Sequence, residues 1–311
     1  MFKLFHQIPS SDDYITDICD YLEFKSIISN DSIISINEVL KEFLRSADED
    51  IDDGIDDVED ISREKLELVS SECQRRAQSS GNRYPFQLEF NGEVIRFIGL
   101  INTESILYVY LLFATRLDMR ENRRLQNIDG THLLELISSE VSKSYFGAKS
   151  KSYIMGTAAV GGFKTKVGEL CSLLGEGFQF VNANEGPVDE NDGGLDVVVW
   201  IDFSDKKPSK LIAFGQCKTG TNWEMHTQAL NSETFCKLWF SKQPVVTPLR
   251  LFFIADIVHL DRWYKVAVSA GLLFDRLRIV DHIPEQMPAE LIQSITTWTN
   301  SAIEISKERF N

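Results

Sequence analysis

Apolar and polar positions follow helical spacing through most of the first half of the chain and mix helical with strand spacing in the second. Positions 37–44 predict a helix, with Val39, Leu40, Phe43 and Leu44 on its apolar side. Positions 61–79 predict a charged amphipathic helix. Two alternating stretches then flank Asn91-Gly92, the pair that favours a tight type I′ hairpin. Positions 104–119 are apolar nearly all round, as a buried helix is. Asp129 stands as the cap of a helix to about Tyr145, with Leu134, Ile137, Val141 and Tyr145 on one side. The stretch 146–162 is rich in Gly, Ser and Ala and reads as the joint between two regions.

Beyond the joint, Phe163, Val167, Leu170, Cys171 and Leu174 form a helical stripe. Positions 175–182 predict the first strand of a core sheet, and 186–194 a loop. Positions 195–203 and 211–218 are apolar and β-branched on either side of a polar turn that holds Pro208, so they predict a hairpin. A helix is expected from the turn at 219–223 to about Lys242. Then come a buried strand at 249–256, a helix capped by Asp261 and ended by Gly271, and a short strand at 277–280. Pro288 opens a last helix with the stripe Leu291, Ile295, Trp298 and Ile305. The order from residue 163 is α-β-β-β-α-β-α-β-α. The expected fold is α/β (α+β): an acidic region at 1–147 and a mixed sheet flanked by helices at 148–311.

Charge changes the picture. The 311 residues carry a net charge of −15. Residues 1–150 hold 16 Lys and Arg against 28 Asp and Glu, while 151–311 hold 16 against 19. The acidity is therefore mostly N-terminal, which disfavours a free-standing nucleic-acid binder and points to a protein partner or an oligomer. Its densest part, 48–60, predicts a solvated loop. Asp48, Asp50, Asp52 and Glu59 in it are similar in spacing to a calcium loop, but the glycine falls one place late. Arg116, Arg120, Arg123 and Arg124 follow the apolar helix and either complement its dipole or meet phosphate. Five scattered cysteines without a C-x-x-C pair argue against disulfides and zinc and imply a reducing, cytoplasmic setting. The opening residues lack the apolar run of a signal peptide, and no stretch predicts a membrane span.

The candidate chemistry lies on the 195–218 hairpin. Strand alternation puts Asp196 on the face of Val198, Trp200 and Asp202, and Gln216 on the face of Lys218. A carboxylate and an amide oxygen suit a hard divalent cation, and a lysine beside them can orient water or steady a phosphate. The bland reading is an amphipathic hairpin with charged edges.

Asp196 followed by Gln216-Cys217-Lys218 resembles the restriction-endonuclease-like PD-(D/E)-x-K nucleases, in their Q-x-K, Mrr-like form. That family places an Asp on the second core strand and (D/E)-x-K on the third. This chain departs from it in Gln216, where an acid is usual, and in Leu195, where the family name has Pro. The resemblance covers about half the chain. It implies a Mg²⁺- or Mn²⁺-dependent endonuclease acting on DNA, of an anti-phage or restriction-type defence system. A helicase or ATPase partner, or a homo-oligomer, would complete it. Asp196, Gln216 and the Cys217 main-chain carbonyl would bind the cation, and Lys218 would act on water or phosphate. The family often carries a Glu on the helix before its first core strand. Glu169 is the candidate for that role, and the alternative is a solvated Glu. His226 and Asp192 are weaker candidates for the same site. The competing function is a nuclease-like fold without activity, kept as a binding or assembly subunit.

Overall fold

The computed structural model describes residues 3–5, 9, 14–47, 55–156, 162–183 and 194–310. The chain divides into two compact units. One comprises 1–130, 255–259 and 292–311, and the other 131–254 and 260–291. The division expected at 147/148 does not coincide with this partition. The helix expected to end near Tyr145 belongs to the second unit, and most of the last helix belongs to the first.

The first unit contains α1 (Ile15–Ile28), β1 (Ile33–Ser35), α2 (Ile36–Ala47), α3 (Ile55–Ser80), β2 (Phe86–Glu89), β3 (Val94–Phe97) and α4 (Thr103–Arg116). A short hairpin follows, β4 (Arg124–Leu125) with β5 (Ile128–Asp129). β1, β3 and β2 form an antiparallel sheet. The Asn91-Gly92 hairpin is present, but its ladder closes at Glu89–Val94, which leaves a four-residue loop instead of a two-residue one. Residues 55–60 of the acidic stretch are helical, the start of α3, and not loop. The calcium-like positions Asp48, Asp50 and Asp52 lie outside the described residues.

α1 is buried nearly all round although it carries Asp17, Asp20 and Glu23. Two buried arginines explain this. Arg76 of α3 reaches Asp20 and Glu23, both at 2.8 Å, and Glu72 at 3.0 Å. Arg116 of α4 reaches Asp20 and Asp17, both at 2.7 Å, and Asp256 at 3.2 Å. Tyr84 and Tyr108 donate their hydroxyls to Glu23. Buried charges persist only when paired and hydrogen-bonded. Arg116 is therefore part of an internal ion cluster, neither a dipole partner at the surface nor a phosphate contact. Arg123 is also engaged, with Asp129 at 2.6 Å.

The second unit holds α5 (Gly130–Phe146), β6 (Ser150–Ile154), α6 (Phe163–Leu174), β7 (Val197–Ile201), β8 (Ile212–Lys218), α7 (Ser232–Trp239), β9 (Leu249–Ile254), α8 (Leu260–Ala270), β10 (Leu272–Phe274) and α9 (Arg276–Asp281). Both units contribute to α10 (Ala289–Phe310). One mixed sheet runs β10-β9-β8-β7-β6. β6, β7 and β8 pair antiparallel, and β8, β9 and β10 pair parallel. On one face Leu195, Val198, Trp200, Ile212 and Phe214 pack with the α6 stripe and with Phe235 and Trp239 of α7. On the other, Ser139 of α5 donates to Ser152 of β6 at 2.7 Å, which ties α5 to that side.

Two strand expectations are corrected. The first strand of the sheet is β6, inside the stretch that read as a joint. Residues 175–182 form only an isolated bridge, Phe180 with Phe240, and Phe178 takes a positive φ of 66°. At the far edge, Gly271, at φ 84°, turns the chain directly into β10. Asp275 then accepts from the Arg278 N–H and caps α9, so 276–281 is helix where 277–280 read as strand. The helix expected through Lys242 is the shorter α7, after a 3-10 turn at Trp223–His226.

Candidate active site

The β7–β8 ladder stops at Val197–Gly215, but β8 continues to Lys218 along β9. Asp196 stands where the ladder stops. Its N–H donates to Gly215 O at 2.9 Å, and its carbonyl accepts from the N–H groups of Met155 and Gly156 at 2.7 and 3.2 Å. Its carboxylate accepts the Cys217 N–H at 2.7 Å. The main chain here is irregular. Leu195, not Asp196, joins Val198 and Trp200 in the core cluster. The alternation expected to place Asp196 with Val198 is thus broken one step before the strand begins. The candidate residues gather at the end of the strands and not on one face.

Burial pushes the Asp196 carboxyl up to about 7. The Cys217 N–H opposes that shift, Glu135 adds to it by like-charge repulsion, and Lys218 opposes it. Glu135 and Lys218 are therefore both close enough to act on Asp196. Gln216 is buried, and a Cβ on Gly194 would lie 2.8 Å from its Nε2. The Gln216 Oε1 is buried and has no hydrogen-bond partner among the described residues. Such an oxygen costs about 1–3 kcal/mol unless something satisfies it. Cys217 is half-buried, with its thiol near Ser138 of α5, and desolvation holds that thiol well above the ordinary thiol range.

Glu169 is not with this group. It lies on α6, where its carboxylate accepts the Tyr153 hydroxyl at 2.6 Å beside a shallow depression lined by Gly168, Ser172 and Leu173. Because β6 is the first strand of the sheet, the helix that precedes that strand is α5, and its acid at the strand end is Glu135. Glu135 is buried, with Oε2 3.0 Å from His132 Nδ1. A Cβ placed on Gly156 would meet its two oxygens at 2.0 and 2.5 Å. From α6, the buried Lys166 donates to the carbonyls of Gly156 at 2.9 Å and Met155 at 3.4 Å. His226 sits on the 3-10 turn after β8, and Asp192 lies outside the described residues.

Among the described residues, no group of three or more His, Cys, Asp and Glu side chains is placed to hold a metal ion. The donors present are two carboxylates that repel each other, a buried amide oxygen lacking a partner, and main-chain carbonyls. All are hard oxygen donors of the kind Mg²⁺ and Mn²⁺ take, so the residues fit such an ion. No family model, curated protein or solved structure matches the chain.

Proposed function

We propose that the chain is a metal-dependent nuclease that hydrolyses DNA phosphodiester bonds. Asp196, Glu135, Gln216 and Lys218 make up its site. The observation that carries this reading is the set of costs met at one strand end. A carboxyl near neutrality and a second acid repelling it meet at the start of β7, and the amide that faces Gly194 just before that strand carries an oxygen with no partner among the described residues. A hydrophobic or neutral set would give a more stable fold there. A divalent cation would offset all three costs and would supply positive charge against the charge gathering on the phosphate.

The chain's own groups divide the work. Asp196 and Glu135 present oxygens for the cation, and Gln216 adds a neutral one. That leaves the site one negative charge short of an all-carboxylate set, so these residues would hold a cation only modestly on their own. The Lys218 ammonium donates to the phosphate oxygens or orients the attacking water. The net charge of −15 would repel DNA, which supports a partner protein that brings the substrate. A role in defence against foreign DNA follows from the Q-x-K resemblance alone.

The test is cleavage of supercoiled plasmid, with single-stranded DNA and RNA alongside, in Mg²⁺ or Mn²⁺. Wild type is compared with Lys218→Ala and Asp196→Asn. Nicking by wild type and its loss in both variants support the reading. Nicking unchanged in both variants would sink it. The neutral Gln216 favours a second reading, a nuclease-like binding subunit, and DNA binding without cleavage in either metal would select it.

A further inference from the structure

We infer that His132 is a positioning residue that holds Glu135 in place for the cation. The inference rests on the nuclease reading above and extends it to a group outside the strands. His132 and Glu135 are three residues apart on the first turns of α5, a spacing that puts both side chains on one side of the helix. His132 Nδ1 lies 3.0 Å from Glu135 Oε2. In the proposed role the carboxylate is an anionic cation ligand that only accepts, and the tautomer that serves it donates from Nδ1. Behind the carboxylate is the bare Cα of Gly156, too close to leave space for any side chain. Lys166 ties the Gly156 carbonyl to α6, and the Gly156 N–H donates to the Asp196 carbonyl. Glu135 is therefore held between an imidazole on its own helix and a main-chain wall that also anchors Asp196.

Without such a hold the carboxylate would turn away. A free Glu samples several rotamers, and Asp196 repels its charge. A hydrogen bond on one oxygen fixes the group and offsets part of that repulsion. Partners that orient ligating carboxylates in this way are worth about 10–100-fold in metal affinity. Glu72 shows that a buried carboxylate does not require a histidine. Its carboxylate is held by Arg75 and Arg76. An arginine at 132 would add a fixed positive charge and compete with the cation, whereas a neutral imidazole donates without that competition.

The experiment measures Mn²⁺ binding to the full chain by titration calorimetry and the unfolding temperature without metal. The proteins are wild type, His132→Ala, His132→Asn, Glu135→Gln and Asp196→Asn. Asn offers an N–H near the place of Nδ1. The expected result is a loss of about tenfold or more in Mn²⁺ affinity for His132→Ala, restored within about threefold by His132→Asn, with the metal-free unfolding temperature nearly unchanged. If His132→Ala binds Mn²⁺ as wild type does while Glu135→Gln and Asp196→Asn bind weakly, the His132 role is wrong and the cation site stands. Equal losses in His132→Ala and His132→Asn also overturn the role, because the N–H then does nothing. If wild type takes no Mn²⁺, or Glu135→Gln and Asp196→Asn bind it as tightly as wild type, the cation site itself fails, and the inference with it.

Discussion

Gly156→Ala separates the site from the fold with one carbon atom. Gly156 is not in the left-handed region, so its backbone accepts alanine without torsional strain. The nearest conflict is with Glu135. The new Cβ would stand 2.0 Å from Oε2, 2.3 Å from Cδ and 2.5 Å from Oε1, distances no real contact shows. Either the Glu135 side chain leaves or the main chain at 156 moves. The second is harder, because Gly156 is held by Lys166 at its carbonyl and by Asp196 at its N–H. The carboxylate is the free end of a flexible side chain and leaves first. The stability cost is that of a modest overpacking, about 1–3 kcal/mol, or a few degrees in unfolding temperature. The functional cost is larger. Displacing a ligating group by about 1 Å lowers rate by about 100-fold. Plasmid nicking in Mn²⁺ and differential scanning calorimetry on the same preparations measure the two effects. Gly156→Ala should fall to the nicking level of Glu135→Gln while unfolding cooperatively within a few degrees of wild type. Nicking at the wild-type rate by the Ala variant would refute the role of Glu135, since its carboxylate cannot keep this position beside a methyl group.

Three further outcomes are expected. The Asp196 carboxyl is raised to about 7 from an ordinary 3.8, so the folded state holds its proton more tightly than the unfolded one. Metal-free stability should fall as pH rises from about 4 to about 7, by at most about 4 kcal/mol. Asp196→Asn should remove that fall and be the more stable protein at pH 8, as denaturant melts across pH would read. Arg116→Ala leaves Asp17, Asp20 and Asp256 buried without their shared cation. A loss of about 3–5 kcal/mol follows, and an unchanged melt would refute the cluster's structural role. Lys166→Met strips the donor from two carbonyls at the end of β6, and it should cost about 1–3 kcal/mol and slow nicking as well.

The parts of the molecule legible in the sequence are those in which local pattern and burial agree. The α6 stripe and the hairpin from Val197 onward have the packing their periodicity implies. The hairpin at Asn91-Gly92 was also visible, though not its loop length. β6 was hidden because Ser150, Lys151 and Ser152 look like linker, and only its place at the sheet edge makes such polarity tolerable. With β6 unread, the helix before the first strand reads as α6, which carries Glu169; in the structure it is α5, which carries Glu135. The signal that would have found Glu135 is the H-x-x-E spacing at 132 and 135 on a helix that runs into a strand. The ion cluster around α1 was invisible for another reason. Its partners lie on α3, on α4 and at Asp256, and no local pattern announces an arginine that pairs across 96 residues.

The strand end at Asp196 admits a purely structural account, and its limits define the functional one. Beyond Gly215, no strand among the described residues pairs with β8 on its β7 side. The Cys217 N–H there needs an acceptor, and the Asp196 carboxylate supplies it. That need explains a polar residue at 196. It does not explain a charge, because the side-chain oxygen of Asn would accept the same N–H without the desolvation that raises the carboxyl to about 7. Nor does it explain Glu135, which makes ionising Asp196 harder, or a buried Gln216 whose Oε1 finds no donor among the described residues. Each of these choices costs stability, and all of them fall at one place in the unit. Structure alone would select against such a set. On the proposed reading, a cation and a phosphate would turn these costs into binding energy.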